Sequence, residues 1–274
     1  MPIITRLTAL YEKRGIRIAA GLNPSHYRGF PHAAFTWFVK DGASLTDGLG
    51  IALQEIYFLE CLFARFHPKS IFAIGNSLGW STLALAIANP QARVLAIDAA
   101  TDRLAREGIH FTNAVAREEG LAVTVVEARS PDDVARVCRE AILPPVEFAL
   151  IDGYHTVEQV ELDFRALRDV ATSGCVYLFH DVANFGLLPG VERIARESGL
   201  AYRLLSGTTS GMAIVFDPEG TPGIAEDIAP FAAAPEVLRV IEHAGWSHRH
   251  RHLARWRRSL RKRIGCVPPP VTLD

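Results

Sequence analysis

The chain has no long uninterrupted apolar run. No stretch of it reaches the roughly 18 to 20 apolar residues of a spanning helix, and the opening MPIITRLTALYEKRG lacks the apolar centre of a secretory leader. A soluble cytoplasmic protein is the expectation. Cysteine is scarce: Cys61, Cys138, Cys175 and Cys266 form no close pair and no CxxC. Cys61 and Cys175 lie in apolar runs and are expected as buried free thiols. Net charge is also lacking. A formal value of -1 gives no global reason to expect nucleic-acid binding. No internal repeat is visible.

What remains is a chain of 274 residues with 49% hydrophobic content, enough for one fairly large domain with extensions. Its organising stretch is IFAIGNSLGWSTLALAIANPQARVLAID, Ile71 to Asp98. An apolar strand, Ser70 to Ile74, runs into a glycine turn at Gly75, Asn76, Ser77 and Gly79. Ser81 and Thr82 enter a helix of about Trp80 to Ala88, and a second strand, Arg93 to Ile97, ends at Asp98. Strand, glycine turn, helix, strand and acid form the pattern of a nucleotide-type cofactor site on a parallel sheet.

The pattern repeats downstream. Thr101 or Asp102 caps a helix to about Glu119, and Gly120 closes it. A third strand covers Ala122 to Glu127. Ser130-Pro131-Asp132-Asp133 has the capping hydroxyl, proline and acids of a helix start. Val146 to Ile151 is a fourth strand, followed by a helix of about Val157 to Val170. Cys175 to Phe179 is a fifth. Tyr202 to Leu205 and Gly211 to Phe216 are joined by too short a link for a parallel crossover, which needs about a dozen residues, so they are expected as an antiparallel hairpin. Upstream, Leu53, Ile56, Leu59 and Leu62 mark a helix. The fold expected is a doubly wound α/β sheet, mostly parallel, with five β-α units and a terminal antiparallel hairpin.

Three segments follow: an N-terminal cap or flap over 1–49, the α/β domain over 50–217 and an extension over 218–274. Leu7 to Tyr11 suits a short helix. Tyr27, Phe30, Phe35, Trp37 and Phe38 are too aromatic for a free tail. They are expected to pack on the main domain in preference to touching a ligand. Residues 247–263 contain eight Arg and Lys and no acid, with Leu253, Trp256 and Leu260 at helical spacing. Such a basic amphipathic helix docks by its Leu-Trp seam on the parent domain or on a second subunit of a homo-oligomer. The alternative is peripheral contact with an anionic surface or a polyanionic partner.

In an open parallel sheet, ligands bind beyond the carboxyl ends of the strands. The polar residues at those ends are Gly75-Asn76, Asp98, Glu127 to Ser130, Asp152-Gly153-Tyr154-His155 and His180-Asp181. Asp98 is placed to accept from a ribose hydroxyl pair. A dinucleotide needs GxGxxG, and the second and third glycines of that register are absent from Gly75-Asn76-Ser77-Leu78-Gly79-Trp80.

Three blocks carry a family resemblance. FALIDGYHTVEQVELDFRAL resembles the "IDGDHSYEGVxxDL" signature, GCVYLFHDV resembles "GGvivfHDv", and IGNSLGWSTLALA resembles the loop "EIGxxxGxST". These belong to class I S-adenosylmethionine-dependent methyltransferases of the small-molecule O-methyltransferase type, including the methyltransferase-24 family. The resemblance covers roughly residues 50 to 217. It implies a seven-stranded class I methyltransferase sheet and methyl transfer from S-adenosylmethionine to a hydroxyl of a small molecule or sugar. Gly75, Asn76, Ser77 and Gly79 would wrap the cofactor's methionine portion, with Ser81 and Thr82 beneath it. Asp98 would hold the ribose and Ala99 would sit beside the adenine. Ala128, Arg129 and Ser130 would approach the adenine ring, and Asp152 would lie near the methyl-transfer centre. In metal-dependent relatives, acids at the Asp152 and Asp181 positions bind Mg2+, and His155 or His180 could serve as general base.

Three positions depart from the pattern. Ala73 stands in place of a glutamate that supports the cofactor's amino end, Tyr154 in place of an aspartate, and Val182 in place of an asparagine metal ligand. Two carboxylates admit a divalent ion without compelling one. The rival functions are an NAD-dependent enzyme on a similar sheet and a non-catalytic relative with an assembly role.

Overall fold

Runs as apolar as Ser70–Ile74 cannot lie on a sheet with one wet face, and here they do not. In the computed structural model, which describes residues 1–48 and 50–244, seven strands form one sheet: β4 (Ser70–Ile74), β5 (Arg93–Asp98), β6 (Val123–Glu127), β7 (Val146–Ile151), β8 (Ala171–Phe179), β9 (Ala201–Leu205) and β10 (Met212–Phe216). Their order is β6-β5-β4-β7-β8-β10-β9. The first five are parallel, whereas β10 runs antiparallel to both β8 and β9. The expected sheet and terminal hairpin are both present. Ala73 pairs with Ala96 and Leu150, and Ile74 with Ile97 and Ile151, so the strand ends that carry Gly75, Asp98 and Asp152 lie level.

Alternation along the strands divides the core. Ile71, Ala73, Val94, Ala96, Phe148 and Leu150 face one layer, formed by α1 (Ile3–Glu12), α2 (Leu53–Phe63), α3 (Trp80–Ala88) and α4 (Arg103–Glu118). Phe72, Ile74, Leu95, Ile97, Ala149 and Ile151 face the other, formed by α5 (Val134–Glu140), α6 (Val157–Arg168) and α7 (Leu188–Ser198).

The N-terminal residues are more ordered than their mixed composition suggests. Ile3, Leu7, Leu10 and Tyr11 recur on one face of α1 and are buried in the main core. Tyr11 packs against Phe38, Trp80 and Phe111, and its hydroxyl donates to the Leu78 carbonyl at 2.7 Å. β1 (Arg17–Ala19), β2 (Trp37–Lys40) and β3 (Ala43–Ser44) form a small antiparallel sheet. Of the five aromatics expected to pack, Phe38 is buried, whereas Tyr27 and Phe30 remain about half exposed, at 48% and 46%. Met1–Ala232 is one compact unit. Beyond it, residues 235–244 are helical. Residues 247–263 and Cys266 lie outside the described residues. No described helix is long and apolar enough to cross a membrane.

Local expectations were met unevenly. Asp102 caps α4 by accepting from the Ala105 N–H at 2.8 Å. Ser130 does not cap α5, which begins at Val134. Its hydroxyl donates to Asp163 Oδ1 instead, at 2.5 Å, because a nearby carboxylate is the stronger acceptor. Cys175 is buried, and burial pushes its thiol up to about 12, but Cys61 is only half-buried.

Two tertiary ties hold the carboxyl edge of the sheet. In the first, α4 crosses the glycine turn so closely that a Cβ on Gly108 would lie 1.8 Å from the Ser77 carbonyl oxygen. The second joins α2, β8 and β10 through Glu55, which is fully buried. Its carboxylate accepts from the backbone N–H groups of Ala52 at 2.7 Å and Ser210 at 2.8 Å, and pairs with His180 Nε2 at 3.1 Å. Burial alone would raise the Glu55 carboxyl, but the His180 charge and these hydrogen bonds hold it below its usual range. Burial alone would lower the His180 imidazole, but the charges of Asp152 and Glu55 and contacts to Asp152 and Asp181 raise it well above.

Gly108→Ala should therefore lower stability by about 1–3 kcal/mol, the usual cost of forcing extra atoms into packed structure, measured by chemical denaturation. Glu55→Gln removes one of the carboxylates that stabilise the buried imidazolium, leaving Asp152 and Asp181, and should cost about 1.5–3 kcal/mol. The pH dependence has a defined sign. The depressed Glu55 contributes stability above about pH 4.3 that is lost on acidification through its folded value. The raised His180 contributes stability that is complete below about pH 6.5 and fades as pH rises through its folded value. Melting curves of the chelator-treated protein should peak between these limits, and Glu55→Gln should flatten the peak.

Candidate functional site

At the carboxyl ends of the strands, Gly75 begins the turn after β4 with φ +92°, and a Cβ there would meet the Asp152 carbonyl oxygen at 2.0 Å. Glycine is thus required by both conformation and proximity. Asp98 closes the turn from the neighbouring strand. Its Oδ2 accepts from the Asn76 and Ser77 N–H groups, both at 2.9 Å, and its Oδ1 accepts from Ala100 N–H at 2.9 Å. A carboxylate offers about four lone-pair directions, so Asp98 fixes the turn and retains acceptor capacity toward a ligand.

Two cavities open on either side of this acid and share Gly75, Asp98 and Asp152. The first, of about 290 Å³, also takes in Asn76, Ser77, Ser81, His155, His180 and Asp181. Its apolar wall includes Phe35, Phe38, Trp80 and Phe185. The second, of about 410 Å³, is lined by Ala99, Ala128, Arg129 and Ser130, with Gln159 and Asp163. The predicted cofactor residues thus converge on one edge, with two exceptions. Gly79 and Thr82 line neither cavity. Gly79 precedes α3 with φ +82°, and Thr82 is fully buried. The Asn76 side chain also turns inward. Its amide donates to the Ser77 carbonyl at 2.8 Å and Thr112 Oγ1 at 3.2 Å, and accepts from Thr82 Oγ1 at 2.9 Å. Asn76 therefore builds the turn and presents only backbone to a ligand.

Four side chains gather in the first cavity. His180 Nδ1 lies 3.1 Å from Asp152 Oδ1 and 3.4 Å from Asp181 Oδ2. It is buried without an aligned hydrogen bond. His155 Nε2 lies 3.3 Å from Asp152 Oδ1 and 3.7 Å from Asp181 Oδ2. Burial would raise the Asp152 carboxyl, but the charge of His180, 3.1 Å away, and the hydrogen bond with His155 hold it well below the carboxylate range. All four donor atoms lie within 4.8 Å of one another. Four of the separations, 3.1 to 3.7 Å, are near the roughly 3.0–3.4 Å between adjacent donors about 2.1 Å from a shared ion, so these four residues are the ones that could hold a divalent ion. Val182 is fully buried and offers no donor, and Asn184 donates to Asp181 Oδ1 at 2.8 Å.

Glu55 and Phe185 complete the site and escape sequence reasoning. Phe185 stacks on His155, with ring centroids 4.5 Å apart and planes inclined by 30°. It lies in a short loop with no periodicity to mark it. Glu55 had a visible signal: with Leu59 and Leu62 it falls on the i, i+4, i+7 apolar stripe of its helix, where a buried acid demands a partner.

Comparison with known proteins agrees with this geometry. Residues 72–182 match the family model described as a methyltransferase domain. No curated protein matches the chain. Among solved structures, an O-methyltransferase from Bacillus cereus in complex with SAH is 18% identical with a TM-score of 0.50, covering 61% of this chain and 82% of its own. A putative O-methyltransferase from Klebsiella pneumoniae is 15% identical with a TM-score of 0.51, covering 79% and 90%. The cofactor-bound protein Rv0187 from MTB is 16% identical with a TM-score of 0.51, covering 79% and 89%. At these identities the structures speak for the fold, and the family match speaks for the segment. Residues 72–182 match the methyltransferase-domain model, and they lie on a sheet of the class I methyltransferase type.

Proposed function

We propose that this methyltransferase takes its methyl group from S-adenosylmethionine and delivers it to a hydroxyl of a small molecule or sugar. The observation that carries this reading is the junction of two cavities at Gly75, Asp98 and Asp152, with two imidazoles and two carboxylates on one side of it. The methyl donor supplies an electrophilic carbon on a sulfonium, and the protein's task is then alignment and proton removal. Asp98 holds the ribose hydroxyls between the cavities. The aromatic wall receives the flat apolar face of the acceptor.

His155 takes the acceptor's proton. It is on the cavity wall, partly exposed and held from below by Asp152. His180 is the poorer base because Glu55 and Asp152 favour its protonated form. It acts as a positioning residue that fixes Asp152. As the hydroxyl oxygen bonds to the methyl carbon, the carbon–sulfur bond breaks, and S-adenosylhomocysteine and the methyl ether remain. Asp152 and Asp181 are the pair that would hold Mg2+, an ion that stabilises negative charge on an acceptor oxygen. On the same reading, 1–49 caps the domain of residues 50–217, since His32, Phe35 and Gly48 line the acceptor cavity. The protein works in the cytoplasm.

Calorimetric titration tests the reading directly. S-adenosylhomocysteine should bind and NAD should not; binding of NAD alone, or of neither, overturns it. Asp98→Ala should weaken S-adenosylhomocysteine by about tenfold or more, equivalent to about 1.4 kcal/mol, and unchanged affinity would remove Asp98 from the ribose site. His155→Gln should lower kcat by roughly 10²–10⁴-fold, the usual worth of a general base, while leaving S-adenosylhomocysteine affinity unchanged.

A further inference from the structure

The acceptor side of the first cavity is bordered by two sets of rings. One set comes from the N-terminal residues. Phe30 is 46% exposed, His32 is exposed, Phe35 is half-buried and Phe38 is buried, so aromatic side chains run from the surface to the cavity wall. The rings of Phe30 and His32 stand 5.4 Å apart, and those of His32 and Phe35 stand 6.1 Å apart. His32, Phe35 and Phe38 line the cavity, whereas Phe30 does not. The row is held in place from behind. The Trp37 indole donates to the His32 carbonyl at 2.8 Å, and the Thr36 and Gly50 backbones exchange hydrogen bonds at 2.9 and 3.2 Å. The other set is Phe185 stacked on His155, and Phe185 is 57% exposed. Single exposed apolar side chains are common, but a run of them leading into a cavity marks a ligand path.

The polar groups along this path are few and mostly committed. No Lys or Arg lines the cavity among the described residues, so a phosphate, a carboxylate or an anionic carrier on the acceptor would go unpaired. The Trp80 indole donates to the Ile51 carbonyl at 3.2 Å, and the Asn184 amide to Asp181 Oδ1 at 2.8 Å. A sugar carries a hydroxyl on most of its carbons, and each one buried needs a partner. His155 and its neighbouring carboxylates serve one hydroxyl edge. Phe30, Phe35, Phe38 and Phe185 offer nothing to the rest. The cavity is also small for a ligand site, at about 290 Å³, and the methionine end of the donor takes part of it. An acceptor of more than one ring therefore projects through the mouth, where the exposed rings stand.

We infer that the acceptor is an uncharged, flat molecule of two or more rings. Its hydroxyl-bearing ring lies in the cavity beside His155 and Phe185, and the remainder lies along Phe35, His32 and Phe30. This rests on the proposed methyl transfer and narrows its acceptor from a small molecule or sugar to one chemical class. Aromatic faces attract one another beyond the area they bury, so each further ring adds affinity along this path.

The test is calorimetric binding of phenol, naphthol, hydroxynaphthoate, hydroxyflavone and methyl rhamnoside to the full chain saturated with S-adenosylhomocysteine. Hydroxyflavone should bind about tenfold or more tighter than phenol. Hydroxynaphthoate, with its carboxylate, should bind about tenfold or more weaker than naphthol, and methyl rhamnoside should also bind weaker than naphthol. Phe30→Ala removes a ring outside the cavity, so it should weaken hydroxyflavone by about threefold to tenfold and leave phenol and S-adenosylhomocysteine unchanged. Phe30→Trp should restore the loss. Melting curves check that each variant is folded. The inference is overturned by hydroxyflavone that binds no tighter than phenol, by hydroxynaphthoate or methyl rhamnoside that binds as tightly as naphthol, or by a folded Phe30→Ala with wild-type affinity for hydroxyflavone. Each of these results leaves the methyl-donor reading intact. A wild type that does not bind S-adenosylhomocysteine overturns both.

Discussion

The structure depends most on a buried pair of opposite charges, Glu55 and His180, 3.1 Å apart in an otherwise apolar layer. Neither group could be buried in charged form alone. Together they bring α2, the end of β8 and the start of β10 to one point, because Glu55 also accepts from Ala52 and Ser210. That point sets where the second ring nitrogen of His180 lies, and hence where Asp152 and Asp181 stand relative to His155. The chemistry of the cavity is therefore positioned from beneath by a carboxylate that touches no ligand.

A second acid plays the corresponding part at the glycine turn. Asp98 accepts three backbone N–H groups and so holds the loop it would share with a ribose. A group so constrained needs little reorganisation when a ligand arrives, which keeps the ordering cost of binding low. The inward Asn76 amide, joined to Thr82 and Thr112, supports the same loop from the other side.

Much of this was legible from the sequence, for physical reasons. Fully buried parallel strands must be continuous apolar runs, and the turns between them must carry glycine or capping residues, so the order from Ser70 to Phe216 could be laid out. The strand-end acids and histidines followed, because topology alone brings strand ends together. Features that depend on tertiary contact were not legible. Ser130 had the local chemistry of a helix cap and was taken by Asp163, 33 residues away. β1 to β3 are two to four residues long, too short for a period of two to register. Phe185 matters only because the loop after His180 folds back over His155.

Glu55 also bears on the main departure from the family pattern. Ala73 stands where the signature that this chain resembles has a glutamate, and it is fully buried between Ala96 and Leu150. Its side chain faces the layer that includes α2, the helix that supplies Glu55. The two acids are not equivalent, since Glu55 is committed to His180. The chain nonetheless keeps a carboxylate on that face, and with Asp152 and Asp181 it surrounds the imidazoles with more negative charge than one proton on His180 balances. A cationic sulfonium entering beside Asp152 would meet a favourable potential in a site partly shielded from water, where such charges act most strongly. Alanine at position 73 therefore leaves the site with carboxylates close to where a sulfonium would lie.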